Sequence, residues 1–256
     1  VSRVLFETTD AARGVSALDV HGVVADASTP CGAGLSVLAG SYDGDGFVID
    51  SRRAGGAAAG RFTAHDRKGT ALCTLPDTSY CLSSGGDGVV KVWDVRKLPQ
   101  PGGRHGSGAV KEVCLLRGNQ SITSAFFSHH GTHVVATCND NKLRVWDVAA
   151  DGGGGGRGGS LVADPPSLVI SHDNHTRRWI SSFRTVFDPA NDDTLVVGNM
   201  RRCLDLYSAS APDGLPLAQR SHELLTAIPT LNAVHPCPAV DVIVSGTASG
   251  RLYLWT

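Results

Sequence analysis

Apolar and polar residues alternate along short segments of this 256-residue chain. The clearest segment is 89–95, in which Lys91 interrupts a run of apolar residues and Trp93 stands near the end. Alternation with a period of two predicts a β-strand. Two more short segments precede it, at 70–74 and 80–84, and the turn residues between them favour an antiparallel arrangement. We therefore expect three consecutive antiparallel strands, with Lys91 pointing outward from the third.

The same pattern returns along the chain. A small-residue turn with an Asp, an alternating strand and a Trp-Asp pair recur at 138–147, and weaker copies lie at 42–50, 198–208 and 247–256. The residues that anchor these strands are 44, 53, 61 and 48 positions apart, at Ile49, Trp93, Trp146, Tyr207 and Trp255. Units of roughly 40–45 residues with four strands and a Trp-Asp pair are typical of WD-repeat β-propellers. The sequence therefore predicts an all-β WD-repeat propeller with five recognisable blades.

The anchors also predict the blade boundaries. Within one propeller domain spanning 1–256, we place the blades near 14–62, 63–109, 110–165, 166–215 and 216–256. Nearly every residue of 151–159 is glycine, which buries no apolar surface, so we expect a flexible surface insertion there. WD propellers most often close with about seven blades. We therefore expect about two N-terminal blades to be missing from this chain, and closure of the ring stays open.

A buried polar network is predicted in the second blade. Asp87 lies in the turn six residues before Trp93, and His65 lies 28 residues before it. In WD-repeat blades a turn Asp, an upstream His and the strand Trp form such a network. Because buried polar groups must be paired, we interpret these three residues as structural.

The other blades keep this pattern only in part. Asp43 and Asp140 hold the same turn position in the first and third blades, and Asn119 takes the histidine position of the third. In the fourth and fifth blades Arg201 and Ser249 replace the Asp. Those blades must be held another way, which leaves Arg201 available for a different role.

Composition and motifs argue against an enzyme. The net charge is −1, so any nucleic-acid binding must come from a local patch. The seven cysteines include no CxxC pair, and the chain has no nucleophile elbow, phosphate-binding loop or dinucleotide fingerprint. His129, His130 and His133 fall at a tight turn without a carboxylate or Cys at ligand spacing. We expect no catalytic residue, no cofactor and no metal.

Basic residues gather at one end of the predicted propeller. Connections between blades share one end with the turns that join second to third strands, and we call this end the top rim; the opposite end is the bottom rim. The top rim is predicted to carry Arg67, Lys68, Arg177, Arg178, Trp179, Arg201 and Arg202. Guanidinium groups pair with phosphates, and an indole stacks on or wedges between bases. The alternative is a solvated loop whose Trp179 packs on a neighbouring blade.

The bottom rim carries a second candidate site. Trp93 and Asp94 end the third strand of the second blade, and Arg96 follows at the edge. The first blade ends similarly with Arg52, whereas the Trp-Asp pair of the third blade lacks the arginine. Arg96 is either a surface residue paired with Asp94 or a contact for a partner.

Two segments carry a resemblance to a known family. The sequences of 172–189 and 195–202 are similar to the DNA-damage-binding WD-repeat proteins: the nuclear branch typified by the yeast "changed mutation rate" protein and, more distantly, the smaller subunit of the UV-damaged-DNA-binding complex. The resemblance covers most of the chain and implies DNA binding in the DNA damage response. In that subunit the loop matching 177–179 probes the lesion with an aromatic-Gln-His tip, whereas this chain has Arg-Arg-Trp.

The resemblance also implies partners for individual residues. It points to DNA contact at Arg67 and Lys68, and it matches Trp93-Asp94-Val95-Arg96 to the motif that docks on the adaptor of a cullin-type ubiquitin ligase. The leading hypothesis is a nuclear DNA-binding propeller, which also serves as a ligase substrate receptor or contacts chromatin proteins such as histones. The alternatives are a protein-interaction scaffold that binds peptides or histone tails without DNA contact, and a propeller hydrolase, for which no converging carboxylates are evident.

Overall fold

The computed structural model describes residues 14–21, 36–50, 59–75, 78–100, 110–149, 161–162, 164–176, 180–237 and 239–256. These residues form five antiparallel β-sheets, four with four strands and one with three. A single turn of 3-10 helix, Val95–Lys97, follows the seventh strand. No helix in the described part of the chain is long and apolar enough to cross a membrane.

The strands follow one another in chain order within each sheet. The first sheet contains β1 Val15–His21, β2 Ser36–Ser41, β3 Asp45–Asp50 and β4 Ala59–Thr63. The second contains β5 Gly69–Thr74, β6 Tyr80–Gly85, β7 Val89–Asp94 and β8 Cys114–Arg117, and the third contains β9 Ile122–Phe127, β10 His133–Cys138, β11 Lys142–Asp147 and β12 Leu168–Ser171. The fourth contains β13 Val186–Asp188, β14 Asn191–Asn199, β15 Cys203–Ser208 and β16 Pro216–Arg220, and the fifth contains β17 Pro229–Val234, β18 Ile243–Thr247 and β19 Leu252–Trp255.

The sheets pack side by side through their first strands. Strand β1 contacts β5, β5 contacts β9, β9 contacts β13, and β13 contacts β17. Successive four-stranded meanders whose first strands line a common centre are the blades of a propeller. The predicted all-β WD-repeat propeller with five blades is thus confirmed.

The outer strands lie farther along the chain than the sequence division suggested. Strands β8, β12 and β16 begin at Cys114, Leu168 and Pro216, just past the ends predicted for their repeats at 109, 165 and 215. Each sequence repeat is recognised by the anchor residue at the end of its third strand. The connection from the third strand to the fourth varies in length, so the sequence does not locate the fourth strand. One sequence repeat therefore combines the outer strand of one sheet with three strands of the next.

The core lies between neighbouring sheets. Val90 and Val92 of β7 are fully buried against the third sheet. The corresponding positions of β19, Leu252 and Leu254, are 77% and 67% exposed, because no sheet among the described residues covers that face. Lys91 is half-buried with its Nζ 5.7 Å from the Trp93 ring, so its predicted outward position is wrong. The reason is that both faces of an inner propeller sheet pack against other sheets.

The predicted polar network of the second blade is confirmed. His65 places Nδ1 3.1 Å from both carboxylate oxygens of Asp87 and Nε2 2.8 Å from Ser83 Oγ. The indole Nε1 of Trp93 donates to the same Ser83 hydroxyl at 2.9 Å. An added Cβ at Gly85 would lie 2.5 Å from His65 Nδ1, so this position must be glycine for the imidazole to fit.

The third blade is held differently. Cys138 occupies the position equivalent to Gly85, and Asn119 is exposed rather than buried in the histidine position. Asp140 instead accepts hydrogen bonds from the buried guanidinium of Arg144. The indole of Trp146 lies 3.4 Å from Asp164, since the residue equivalent to Ser83 is an alanine with no hydroxyl to accept the bond.

The fourth blade departs from the pattern, as expected from the loss of the turn Asp, whereas the fifth keeps part of it. In the fourth, the fully buried Asp205 accepts hydrogen bonds from the side chains of Asn199 and Gln219. In the fifth, Trp255 Nε1 donates to Ser245 Oγ at 2.9 Å, which repeats the Trp93–Ser83 pair.

The histidine-rich turn joins two blades. His130 Nδ1 lies 3.0 Å from an oxygen of Asp192, and the hydroxyls of Ser128 and Thr132 donate to the same carboxylate at 2.8 Å. Burial raises the pKa of Asp192, but the hydrogen bonds from Thr132, Ser128 and His130 outweigh it and hold the pKa well below its usual range. His130 thus has a structural partner across the blade boundary. Across the part of the chain that the structure covers, no group of three or more His, Cys, Asp or Glu residues could hold a metal ion.

Candidate nucleic-acid interface

The top rim is assembled from turns that the strand geometry brings together. The backbone N–H of Gly86, in the turn between β6 and β7, donates to the carbonyl of Lys68 at 2.8 Å. On the other side, Ala64 and His65 donate their backbone N–H groups to the carbonyl of Gly44, in the turn between β2 and β3. The connection carrying Arg67 and Lys68 is therefore fixed between the turns of two blades.

Five equivalent turns join the second and third strands of the blades. At the same position in each, the backbone has a positive φ: 91° at Gly44, 82° at Gly88, 59° at Asn141, 62° at Arg202 and 77° at Gly250. Glycine and, less often, asparagine are the residues that adopt this left-handed conformation readily. The fourth blade alone among these five places a long charged side chain there.

The left-handed conformation of Arg202 has an energetic cost. For a residue with a Cβ it amounts to about 1–2 kcal/mol. The turn is held by Asn199, whose side-chain oxygen accepts the N–H of Arg201 at 2.9 Å and whose carbonyl accepts the N–H of Arg202 at 3.1 Å. Strained residues that persist in a folded protein are enriched at functional sites.

The guanidinium groups of this turn are open to solvent. Arg201 and Arg202 are both exposed, and within the described ranges neither forms an ion pair with an acidic side chain. Arg67 and Lys68 are exposed as well, and Lys68 Nζ lies 4.1 Å from the centre of the Tyr42 ring. Among the described residues, none of these four basic side chains is paired with a carboxylate.

The connection into the fourth blade is anchored at both ends. Asn174 donates its side-chain amide to the carbonyls of Cys138 and Lys142 at 2.9 and 3.1 Å, and its N–H bonds to Asn141 Oδ1 at 3.0 Å. Downstream, the N–H of Thr185 donates to Thr137 Oγ1 at 3.2 Å. The two anchors hold the connection on the third blade.

The tip of this connection carries three of the predicted DNA-binding residues. Arg177, Arg178 and Trp179 lie outside the described residues, and their role stays a prediction. The residues on either side, Thr176 and Ile180, belong to the described part.

A buried network beneath the fourth blade was missed from the sequence. His172 is buried with Nε2 3.7 Å from an Asp205 oxygen, and its Nδ1 lies 2.7 Å from Asn174 Oδ1. Asp205 also accepts from Asn199, the residue that holds the Arg201–Arg202 turn. The network thus connects Asn174, which anchors the connection into the fourth blade, to Asn199, which holds the Arg201–Arg202 turn. A charged residue at 205 between two leucines was its only signal in the sequence.

The bottom rim holds Arg96 in a defined position. Asp94 is buried and accepts hydrogen bonds from Nε and Nη2 of Arg96, each at 2.9 Å, and from the backbone N–H of Arg96 at 3.1 Å. The side chain of Arg96 is nevertheless 72% exposed. These hydrogen bonds hold the pKa of Asp94 below its usual range.

Other residues at this rim differ in accessibility. Trp93 is 1% exposed and makes its hydrogen bond inside the blade, so it can support a contact at Arg96 but cannot itself touch a partner. Arg52 lies outside the described residues.

Comparisons with known proteins identify WD repeats in the chain and several relatives of it. Residues 57–94 and 110–147 match the family described as "WD domain, G-beta repeat". The chain is 30% identical to WD repeat-containing protein 76 of Mus musculus over 224 residues, which cover 86% of this chain and 33% of that protein. It is also 30% identical to DNA damage-binding protein cmr1 of Neurospora crassa over 177 residues, covering 66% of this chain and 32% of the relative. A plant relative, Protein DAMAGED DNA-BINDING 2 of Arabidopsis thaliana, is 29% identical over 205 residues, with 74% and 32% covered.

The chain belongs to the DNA-damage-binding WD-repeat family.

The chain spans about a third of the length of the curated relatives it matches. The first matched repeat ends with β7 and the second with β11, each the third strand of its sheet. Each match begins shortly before the fourth strand of the preceding sheet, β4 or β8. Of the predicted DNA-binding residues, the structure brings Arg67, Lys68, Arg201 and Arg202 to the top rim.

Proposed function

We propose that this WD-repeat protein acts in the nucleus in the DNA damage response by binding DNA through the top rim. The observation that carries the proposal is Arg202, an exposed arginine in a left-handed turn position that other blades give to glycine or asparagine. Folding stability alone favours glycine there. A binding function would account for an arginine at this position.

Charge distribution supports the same conclusion. The chain as a whole is close to neutral, with a net charge of −1. A basic rim on a neutral protein directs nucleic acid to one surface, and arginine is suited to phosphate because its donors form a planar fork. Arg67 and Lys68 would contact the backbone on one side of the rim, and Arg201 and Arg202 on the other.

The loop tip would add a base contact. Arg177 and Arg178 would bind phosphates, while Trp179 would stack on or wedge beside a base. The competing interpretation is that Trp179 packs between blades. A Trp179→Ala variant that melts much earlier but keeps its DNA affinity per folded molecule would favour packing.

The relatives' names support a role in DNA damage. Two of them are named for binding damaged DNA, and the similarity covers most of this chain. We propose a non-enzymatic role for this chain. Damage recognition is tested by titrating the protein with an undamaged duplex and a UV-irradiated duplex of the same sequence, at several salt concentrations.

The expected result is affinity that falls as salt rises, because each neutralised phosphate releases a counterion. Tighter binding of the irradiated duplex at every salt concentration would support lesion recognition. Equal binding of the two duplexes would limit the role to undamaged DNA, and no binding of either would overturn the proposal in favour of a scaffold that contacts peptides or histones.

A second function is supported by the bottom rim. We propose that Arg96 docks on the adaptor of a cullin-type ubiquitin ligase, with Arg52 as a further contact. Arg96 combines high exposure with a fixed orientation on the buried Asp94, which lowers the entropy that a partner must remove on binding. Because β7 runs from the top rim to Asp94, DNA and the adaptor would bind at opposite ends of the blade.

A further inference from the structure

A cavity of about 400 Å³ lies at the centre of the top rim. It is lined by residues of the first strands of several blades, among them Ser16, Thr70, Thr123 and Leu231. A cavity of this volume is large enough for one side chain or a nucleotide, and far too small for a duplex. A duplex therefore cannot enter it.

The charges that line this central cavity are all of one sign. Lys68 and Arg184 are among the lining residues, and none of the described lining residues is an Asp or Glu. Arg184 is exposed and makes no ion pair with any acidic side chain that the structure places. A lysine- or arginine-bearing tail would meet no carboxylate here, whereas an anion would meet two cations.

The polar groups of the cavity divide into two sets. The Ser16 and Thr123 hydroxyls already donate to backbone carbonyls, at 3.1 Å in each case, and therefore have no proton left for a ligand. The hydroxyls of Ser121, Ser181 and Ser182 have no hydrogen-bond partner among the described residues. Together with the Arg184 guanidinium, these three open donors suit a group with several acceptor oxygens.

The aromatic content argues against an extruded base. Base recognition relies on stacking against an aromatic face. Tyr42 is the aromatic residue of the described lining, and Lys68 Nζ covers its ring at 4.1 Å. The described lining thus offers hydrogen-bond donors and cations rather than a stacking platform.

We propose that the central cavity binds an anionic side chain, a phosphoryl or carboxylate group, presented by a partner polypeptide. Arg184 and Lys68 neutralise the charge, and Ser121, Ser181 and Ser182 donate hydrogen bonds to its oxygens. This site shares Lys68 with the proposed DNA surface, whereas Arg184 and the three serines are assigned to the cavity alone.

The test uses three nine-residue peptide libraries with phosphoserine, glutamate or serine fixed at the centre and degenerate flanks. Fluorescence anisotropy with the full chain is expected to show binding of an anionic library and at least tenfold weaker binding of the serine library. Preference for phosphoserine or for glutamate identifies the anionic group. Arg184→Gln is expected to reduce the anionic binding at least tenfold while leaving duplex affinity unchanged.

The matched control is Lys111→Gln, which removes an exposed positive charge from the connection between β7 and β8, at the bottom rim. It is expected to leave peptide binding unchanged. A Ser121→Ala, Ser182→Ala double variant keeps the charge and is expected to weaken binding severalfold. The proposal is overturned if no library binds, if all three bind alike, or if Arg184→Gln binds the peptides normally. It is also overturned if Arg184→Gln instead weakens binding of a duplex with an unpaired nucleotide.

Discussion

His65 and Asp87 meet at the top of the second blade, with the imidazole Nδ1 3.1 Å from both oxygens of the carboxylate. The imidazole is buried, and its other nitrogen faces Ser83. Burial lowers the pKa of His65 from its ordinary 6.5, and this effect outweighs the opposing influence of Asp87. Nearby Lys91 acts in the same direction as burial.

This lowered pKa predicts a pH dependence of stability. Below pH 6.5 the unfolded chain takes up a proton at His65 more readily than the folded chain does, so the free energy of unfolding falls as pH decreases from 6.5 toward the folded-state pKa. Urea unfolding of the wild type and a His65→Asn variant between about pH 7.5 and 5.5 measures it. The variant should be less stable at neutral pH and show a weaker pH dependence; identical pH profiles would contradict the assignment.

Asp140 should be more important for stability than its position in an exposed turn suggests. It pairs with the buried guanidinium of Arg144, and removing one partner of a buried pair costs about 3 kcal/mol or more. Asp140→Ala should therefore lower the free energy of unfolding by about that amount in urea denaturation. A double Asp140→Ala, Arg144→Met variant should recover part of the loss, because it removes the unpaired charge. A single variant as stable as the wild type would contradict this account.

The sequence made the strands and the second blade predictable. Alternation located β7, and the separations of His65 and Asp87 from Trp93 matched a known arrangement. The pattern was less informative where both faces of a sheet are buried, as at Lys91 and Asp205. A charged residue there looks like a solvent-facing position, although Asp205 is buried and accepts hydrogen bonds from Asn199 and Gln219.

The candidate site was predictable only in outline. Strand direction alone places Arg201 and Arg202 on the top rim. The left-handed backbone of Arg202 was not evident, because a turn with arginine in place of glycine has no strong conformational signal. The central cavity was not evident either, since residues as far apart as Ser16 and Leu231 line it.

Replacing Arg202 with glycine should separate stability from binding. Glycine adopts the left-handed conformation without strain, so Arg202→Gly should raise the free energy of unfolding by up to about 1 kcal/mol. The same variant should bind duplex DNA more weakly. Arg201→Gly is the control: it should weaken binding without stabilising the fold, because Arg201 has no positive φ. An Arg202→Gly protein with unchanged DNA affinity would remove the functional explanation for the strained arginine.

Loss of Arg96 should abolish adaptor binding and leave folding and DNA binding unchanged. Its side chain is largely exposed, so Arg96→Ala should fold normally and bind DNA like the wild type, but fail to co-purify the ligase adaptor from cells. Lys97→Ala, one residue away and equally exposed, is the matched control. Arg52→Ala should be tested alone and together with Arg96→Ala. Full adaptor recovery with the double variant would leave a DNA-binding scaffold without a receptor role.

The salt dependence of duplex binding tests the central claim most directly. Each phosphate contact contributes a slope of about −0.9 to the logarithm of affinity against the logarithm of salt concentration. An Arg201→Ala, Arg202→Ala double variant should therefore bind more weakly and show a slope shallower by about 2 units. A Lys97→Ala, Lys111→Ala variant, which removes two charges from the bottom rim, should keep the wild-type slope. Unchanged affinity and slope in the arginine variant would show that the top rim is not the DNA-binding surface.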